Sequence, residues 1–130
     1  MTTFGRRALL VLALLGATSA WAAVNDCSGP LFPIPGSFEE LDVSSTALPF
    51  TVAKYAPTGG DPGILAQCTV EDDAVRVRTD GLAPTATVGD LWPVGSKFYV
   101  CGLQNLKNFR VIRVTGDADL SCTYYRTGDN

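Results

Sequence analysis

Residues 89–102, GDLWPVGSKFYVCG, decide the fold predicted for this sequence. Pro93 and Gly95 favour a tight turn, because proline presets one turn position and glycine accepts a positive φ at another. The alternation over residues 97–101 is the period-two pattern of a β-strand with one buried face. Two of its side chains are expected to face a core, Phe98 and Val100, and three to face outward, Lys97, Tyr99 and Cys101. We expect Cys101 to cross-link that outer face to a neighbouring segment.

Outside this stretch, most of the chain predicts short strands separated by turn residues. One strand is expected at residues 74–79, where Val75 and Val77 alternate with arginines, and the strongest at residues 109–115. Further strands are expected at residues 50–55, 64–70 and 120–126, and a short β-prone stretch at residues 85–88. Ser37 and Glu40 form a capping-box pattern, which predicts a helical turn at residues 38–42. Short strands at regular spacing indicate an all-β sandwich or a small barrel.

The first residues have the composition of a secretory signal peptide. Arg6 and Arg7 precede an apolar run at residues 8–15, and small residues at Ala20 and Ala22 suit an export peptidase. We therefore expect residues 1–22 to be removed on export, by the general or the twin-arginine route, and the mature protein to be secreted or periplasmic. The apolar run is shorter than the roughly 20 residues that cross a bilayer, so no membrane span is expected.

The four cysteines of the chain predict two disulfides. An even number of cysteines in a small exported protein is typical of a disulfide framework. The sequence has no histidine and no closely spaced cysteine pair, so the spacing of a zinc site is absent. Three pairings are open, and we favour Cys27 with Cys68 and Cys101 with Cys122. Each cross-link would stabilise the fold by about 3 kcal/mol on the chain-entropy relation.

The charge of the chain excludes some partners. The full sequence has a net charge of −3, and loss of Arg6 and Arg7 on export would make it more negative. Nucleic acids and anionic membranes both select basic surfaces, so neither is expected as a partner. The basic side chains concentrate late in the sequence, where solvated strand faces are the simplest explanation.

The second half of the chain resembles bacterial SH3-like domains, over residues 66–126. These domains share short motifs of aliphatic residues, glycines and a lysine, followed by an asparagine and an aromatic residue. The matching positions are Val75, Val77 and Arg78; Val88, Gly89 and Leu91; Gly95, Ser96 and Lys97; and Asn108, Phe109 and Ile112. Phe109 stands where the family usually has tryptophan. The family's closing glycine–aromatic–valine motif is replaced by residues 119–122.

The resemblance implies a small SH3-like β-barrel over residues 66–130. Residues 23–65, rich in proline and glycine at their start, would then be an N-terminal extension that packs on the barrel and is held by Cys27. A barrel of about 60 residues has a marginal core, so both the extension and the disulfides would help to stabilise it.

The sequence is poorly equipped for catalysis. Without histidine it lacks the usual general base near neutral pH, and its serines have no activating context. Its carboxylate runs, at residues 39–40 and 71–73, would point to opposite faces of a strand, whereas glycosidases need two acids across one cleft. Acidic turns such as residues 117–119 lack the spacing of a calcium loop. We expect no enzyme activity, no cofactor and no metal.

The exposed aromatic and basic residues are the best candidates for ligand binding. Aromatic rings suit sugar rings or peptides, and cations suit carboxylates. The candidate residues are Trp92, Lys97, Tyr99, Phe109 and Arg110. The SH3-like resemblance implies a binding module for cell-envelope material, a peptidoglycan peptide or glycan. Two alternatives stay open, a protein-binding inhibitor or immunity protein, whose acidic charge would steer a basic partner, and an adhesin or assembly subunit with a free strand edge.

Overall fold

The computed structural model of the protein describes Cys27 and residues 29–128. The expected signal peptide, residues 1–22, and the start of the expected extension, residues 23–26, lie outside these described residues. The elements are β1 (Leu31–Pro33), β2 (Glu39–Val43), α1 (Val52–Tyr55), β3 (Leu65–Glu71), β4 (Val75–Arg78), β5 (Asp90–Trp92), β6 (Lys97–Cys101), α2 (Leu103–Asn108), β7 (Arg110–Arg113) and β8 (Ala118–Thr127). Neither described helix is long enough to cross a membrane.

The strands form two antiparallel sheets. The larger sheet has five strands in the order β1-β8-β3-β6, and β2 also pairs with β8. Strand β8 is the central strand of this sheet. The second half of β8 pairs with β1 and its first half with β2 on one side, and β3 pairs with it on the other. The smaller sheet has the order β5-β4-β7. The prediction of a mostly β-sheet fold is therefore confirmed.

The inner faces of both sheets share one core. Alternate residues of β8 are buried and the residues between them are half-buried, as the period-two rule requires. The fully buried members include Val75 and Val111 from the smaller sheet and Leu120 from the larger one. Phe50, from the segment between β2 and α1, stacks on Phe109 with ring centroids 3.7 Å apart. One continuous core thus holds the sheets face to face.

The described strands do not close into the barrel that we expected. A bridge between Leu48 and Val111 joins the segment after β2 to β7, which links the sheets on one side. On the other side β5 pairs only with β4, and β6 only with β3. The turn at residues 93–96 moves the chain from the smaller sheet to the larger one, so consecutive strands are not neighbours there.

The turn itself forms as predicted. The Ser96 N–H donates to the Pro93 carbonyl at 3.1 Å, and Gly95 has φ +78°. A positive φ at the third position of a hydrogen-bonded turn is the type II geometry, which favours glycine there. In the strand that follows, Phe98 and Val100 are buried while Lys97 and Tyr99 are exposed, so the predicted alternation is confirmed.

Three local predictions are wrong, and tertiary packing explains the first two. Residues 38–42 belong to β2 and its approach instead of a helical turn, since pairing with β8 outweighs the capping-box pattern. Residues 50–55 contain α1 instead of a strand. Phe50 and Tyr55, five positions apart, would lie on opposite faces of a strand, whereas a helical turn lets both enter the core. Residues 85–88 form a loop.

The disulfide pairing that we favoured is also wrong. The bonds are Cys27–Cys101 and Cys68–Cys122. Cys68 and Cys122 are directly opposite in β3 and β8, with Cα atoms 4.2 Å apart. This is close to the roughly 4.5 Å of a non-hydrogen-bonded antiparallel pair, which suits a cross-strand bond. Cys101 does link its strand end to a neighbouring segment, as expected.

The expected extension is part of the sheet. Within residues 29–65, β1 and β2 pair with β8, and Phe50 and Tyr55 are buried in the common core. The described residues on either side of position 65 therefore build one sheet and one core together.

Candidate functional site

The structure separates the five candidate binding residues. Phe109 is fully buried between Phe50 and Phe98, so it cannot contact a ligand in the folded protein. This corrects its place in the predicted site. Trp92 is half-buried, and its ring lies 5.0 Å from that of Phe98, on the core side of the larger sheet. Both aromatic rings serve the core for all or part of their area.

Arg110 also has a local role. It lies on β7 directly opposite Arg78, on the outer face of the smaller sheet. Its guanidinium donates to the carbonyl of Lys107 at 3.2 Å and to that of Phe109 at 2.6 Å. These bonds join β7 to the end of α2, because the last carbonyls of a helix lack partners within it. Arg110 therefore lies on a different sheet from Lys97 and Tyr99.

Lys97 and Tyr99 are the two candidates that lie together. Both project from β6 onto the outer face of the larger sheet, and Tyr99 is 60% exposed. Trp92 meets the opposite face of the same strand, where Phe98 points. Lys97 and Tyr99 are therefore the starting point for a site on the outer face.

A row of four side chains crosses this face, and we call it the outer platform: Phe38, Thr123, Gln67 and Tyr99. Gln67 is directly opposite both Tyr99 and Thr123. Continuing the register of β2 by one residue places Phe38 opposite Thr123. Three strand spacings of about 4.8 Å separate the ends of the row by about 14 Å. The end residues are aromatic, and Phe38 is 55% exposed; the two between them are polar.

The rows beside the platform give the face a charge gradient. The next row runs from Glu40 through Ser121 and Thr69 to Lys97. The row beyond it brings three acids directly opposite one another, Asp42, Asp119 and Glu71. Acidic side chains thus lie at one end of the face and Lys97 at one side of the platform.

The acidic end affects one carboxyl group clearly. A hydrogen bond with Asp72 raises the pKa of Asp119, and desolvation and the charges of Asp42 and Glu40 raise it further. Like charges on neighbouring strands are destabilising, so this row costs stability when Asp119 is ionised.

Hydrogen bonds of buried residues fix the Phe38 end of the platform. Phe38 is flanked by two buried polar residues, Ser37 and Glu39. The Ser37 hydroxyl donates to the Tyr124 carbonyl at 3.3 Å. The Glu39 carboxylate accepts the Tyr124 hydroxyl and, at 3.2 Å, the Thr51 N–H. Burial, then the bond to Glu39, raises the pKa of Tyr124 far above its ordinary range.

These bonds fix both neighbours of Phe38, so its ring is presented by a rigid backbone. Sequence reasoning missed Phe38 because Ser37 and Glu40 resembled a helix cap. The useful signal was the alternation beyond it, where Leu41 and Val43 point inward and place even-numbered residues outside.

A second exposed feature is the loop between β4 and β5, residues 79–89. Arg76 donates to the carbonyl of Ala86 at 2.9 Å and to that of Gly89 at 2.7 Å. Arg78 pairs with Asp80, whose carboxylate accepts the N–H of Leu82 at 3.2 Å. The arginines of β4 therefore fix the loop instead of remaining available to a ligand. Exposed aliphatic side chains lie on and beside it, Leu82, Val88 and Leu91.

The side chains of the outer platform can stack through their aromatic rings and can donate and accept hydrogen bonds. Across the described residues, no group of three or more acidic or cysteine side chains is placed to hold a metal ion. The two disulfides leave no free thiol among the described cysteines. Comparison with family models, with curated proteins and with solved structures finds no match for this chain.

Proposed function

We propose that this protein is an exported, non-enzymatic module that binds cell-envelope material through the outer platform. The observation that carries the proposal is the row itself, with exposed Phe38 and Tyr99 about 14 Å apart and an amide and a hydroxyl between them. Aromatic rings stack on sugar faces or peptide segments, and Gln67 and Thr123 supply donors and acceptors along an extended polymer. The ligand is a peptidoglycan glycan or its stem peptide.

The rigidity of the platform supports this proposal. The disulfide Cys68–Cys122 lies in the two central strands beneath it, and the Ser37 and Glu39 bonds hold one end. A preformed surface binds more tightly, because less conformational entropy is lost on binding. The charge gradient suits a wall peptide, which carries both carboxylates and amines. Lys97 would pair with the former, and the acidic row with the latter.

Export is part of the same proposal. Two disulfides are typical of an oxidising compartment, and the signal-like residues 1–22 supply a route to it. The SH3-like arrangement of residues 66–126 is also proposed, as an opened relative of that barrel. It is supported by the motif matches and by the two sheets that share a core.

Cosedimentation with purified insoluble cell wall tests the proposal. The protein is expected in the pellet, and Tyr99→Ala and Phe38→Ala should each weaken binding about tenfold, since exposed aromatic anchors carry much of a binding energy. Val52→Ala is the matched control. It removes a side chain that is 61% exposed, on α1, whose Tyr55 packs on Tyr124 at the inner face of the larger sheet. A protein that stays in solution contradicts envelope binding, whereas an equal loss in Val52→Ala contradicts the platform.

A second candidate function is a protein-binding inhibitor, favoured by the loop at residues 79–89. The loop is preorganised by Arg76 and presents exposed Leu82 and Val88, features typical of a recognition surface. Immobilised wild-type protein and Leu82→Asp would be compared for capture of secreted enzymes of the same compartment. A partner of nanomolar affinity that Leu82→Asp releases, together with no binding to cell wall, would favour this candidate.

A further inference from the structure

Strand β6 is an open edge of the larger sheet. It pairs with β3, and no other described strand pairs with it. The flanking bonds define its ladder, since Val70 N–H donates to the Ser96 carbonyl at 2.9 Å and Gly102 N–H to the Ile64 carbonyl at 2.6 Å. Alternate residues of an antiparallel strand bond to the same neighbour, so the even-numbered positions of this segment face β3. The odd-numbered positions therefore direct their backbone groups away from the sheet.

Of the three odd-numbered residues of β6, Lys97 and Tyr99 leave their outward backbone groups available, and Cys101 does not. The carbonyl of Cys101 accepts the Asn105 side chain at 2.8 Å, which closes one end of the edge. Lys97 and Tyr99 each direct an N–H and a C=O outward, with no hydrogen-bond partner among the residues that the structure describes. Such a row of unpaired groups is a template for another strand.

The side chains along the edge define what strand would fit. On the outer face, Lys97 is exposed and forms no ion pair with any described residue. On the inner face, Trp92 is half-buried beside Phe98. Lysine on an edge strand hinders unselective pairing, and it also selects, because an opposite acidic side chain turns the obstacle into an attraction.

We propose that the β6 edge accepts an extended segment of a partner protein as an added antiparallel strand, with an acidic side chain opposite Lys97. The partner residue opposite Tyr99 would exchange two backbone bonds with it, and the residue two positions on would do the same with Lys97. The residue between these two lies opposite Phe98 and points to the inner face, where an apolar side chain meets Trp92. The partner motif is therefore any residue, an apolar residue and an acidic residue in succession.

The edge is a different surface from the outer platform, although both proposals use Tyr99 and the Lys97 side chain. The platform uses the Tyr99 side chain, whereas the edge uses its backbone. A substitution of Phe38 changes the platform and leaves the edge intact, so the two proposals can fail separately.

The first test is a fluorescence-anisotropy titration with a short labelled peptide. The peptide alternates valine with threonine and carries one glutamate at the position opposite Lys97. We expect saturable binding, and we expect Lys97→Glu to weaken it about tenfold while improving binding of a peptide with lysine in place of that glutamate. Lys107→Glu, an equal charge change on α2, is the control and should leave the affinity unchanged. So should Phe38→Ala.

The second test measures whether the backbone makes the contact. Amide hydrogen exchange followed by NMR should show slower exchange at Lys97 and Tyr99 when the peptide is added, and a peptide N-methylated along its bonding edge should not bind. Absence of binding up to about 1 mM, equal affinity in Lys97→Glu, or unchanged exchange at Tyr99 would overturn the proposal.

The same data distinguish other occupants of the edge. Slow exchange at Tyr99 in the monomer without peptide would mean that this chain covers its own edge. A dimer that Lys97→Glu dissociates would mean that a second copy occupies it. Either result would reject a partner strand.

Discussion

Removing the Cys68–Cys122 disulfide should destabilise the protein more than removing the Cys27–Cys101 disulfide. The bonds join residues 54 and 74 apart in sequence, so the chain-entropy relation gives each about 4 kcal/mol. The entropy terms nearly cancel when the two are compared. Burial does not cancel, because Cys68 and Cys122 are fully buried while Cys27 and Cys101 are half-buried.

The difference can be estimated from that burial. Replacing two buried cysteines by alanine removes two methyl-sized groups from a packed core, at about 1 kcal/mol each with the cavity included. The double variant Cys68→Ala/Cys122→Ala should therefore lose about 6 kcal/mol of unfolding free energy, and Cys27→Ala/Cys101→Ala about 4. Small domains have about 5–15 kcal/mol in total, so the first variant will be close to unfolding.

Urea denaturation followed by circular dichroism measures both losses. The m value should rise in both variants, because a chain with one fewer cross-link unfolds to a more extended ensemble. If only the buried-pair variant is unfolded without urea, the ranking is already established. An equal loss in the two variants, or a larger one for Cys27→Ala/Cys101→Ala, would refute the reasoning from burial.

Three further changes follow from the hydrogen bonds and charges. Tyr124→Phe should cost about 1–3 kcal/mol in urea denaturation, because the buried Glu39 carboxylate loses its hydroxyl donor; no loss would contradict that role. The raised pKa of Asp119 means that the fold favours its protonated form, and this stabilisation is lost as the pH rises through the folded pKa. Asp119→Asn should therefore raise Tm at about pH 7, with a gain that shrinks towards about pH 4, and a gain independent of pH would refute the assignment. Arg76→Lys should speed proteolysis within residues 79–89, because lysine cannot reproduce both carbonyl contacts, and an unchanged rate would contradict their role.

Local chemistry was enough to predict several elements of this fold. The turn at residues 93–96 depends on Pro93 and Gly95 themselves, and the alternation in β4 and β6 depends on which side chains water excludes. These are properties of adjacent residues, so the sequence contains them directly. The inward and outward faces of β6 were predicted correctly for the same reason.

Other features depend on partners distant in sequence. Residues 39–43 are a strand because β8 pairs with them, from nearly eighty positions away, and α1 exists because two aromatic rings enter one core. The disulfide pairing required the register of β3 against β8, which no local pattern determines. The five candidate binding residues are separated for two reasons. Strands β5 and β7 belong to the smaller sheet and β6 to the larger one, and Phe109 is buried in the core.

The position of Tyr99 connects the two proposed surfaces physically. A strand added to β6 would extend the outer face by about 4.8 Å beyond Tyr99, so it would widen the platform at its aromatic end. It would also replace the hydrogen bonds of the Tyr99 N–H and C=O to water with bonds to the partner, and so restrict the motion of the ring that a polymer contacts. If a partner strand changes the affinity for the polymer by some factor, the polymer must change the affinity for the partner strand by the same factor, because coupling between two binding equilibria is reciprocal. The edge contacts the Tyr99 backbone and the platform contacts its ring. Amide exchange at Tyr99 therefore distinguishes strand binding from polymer binding, whereas a substitution of the Tyr99 side chain would not.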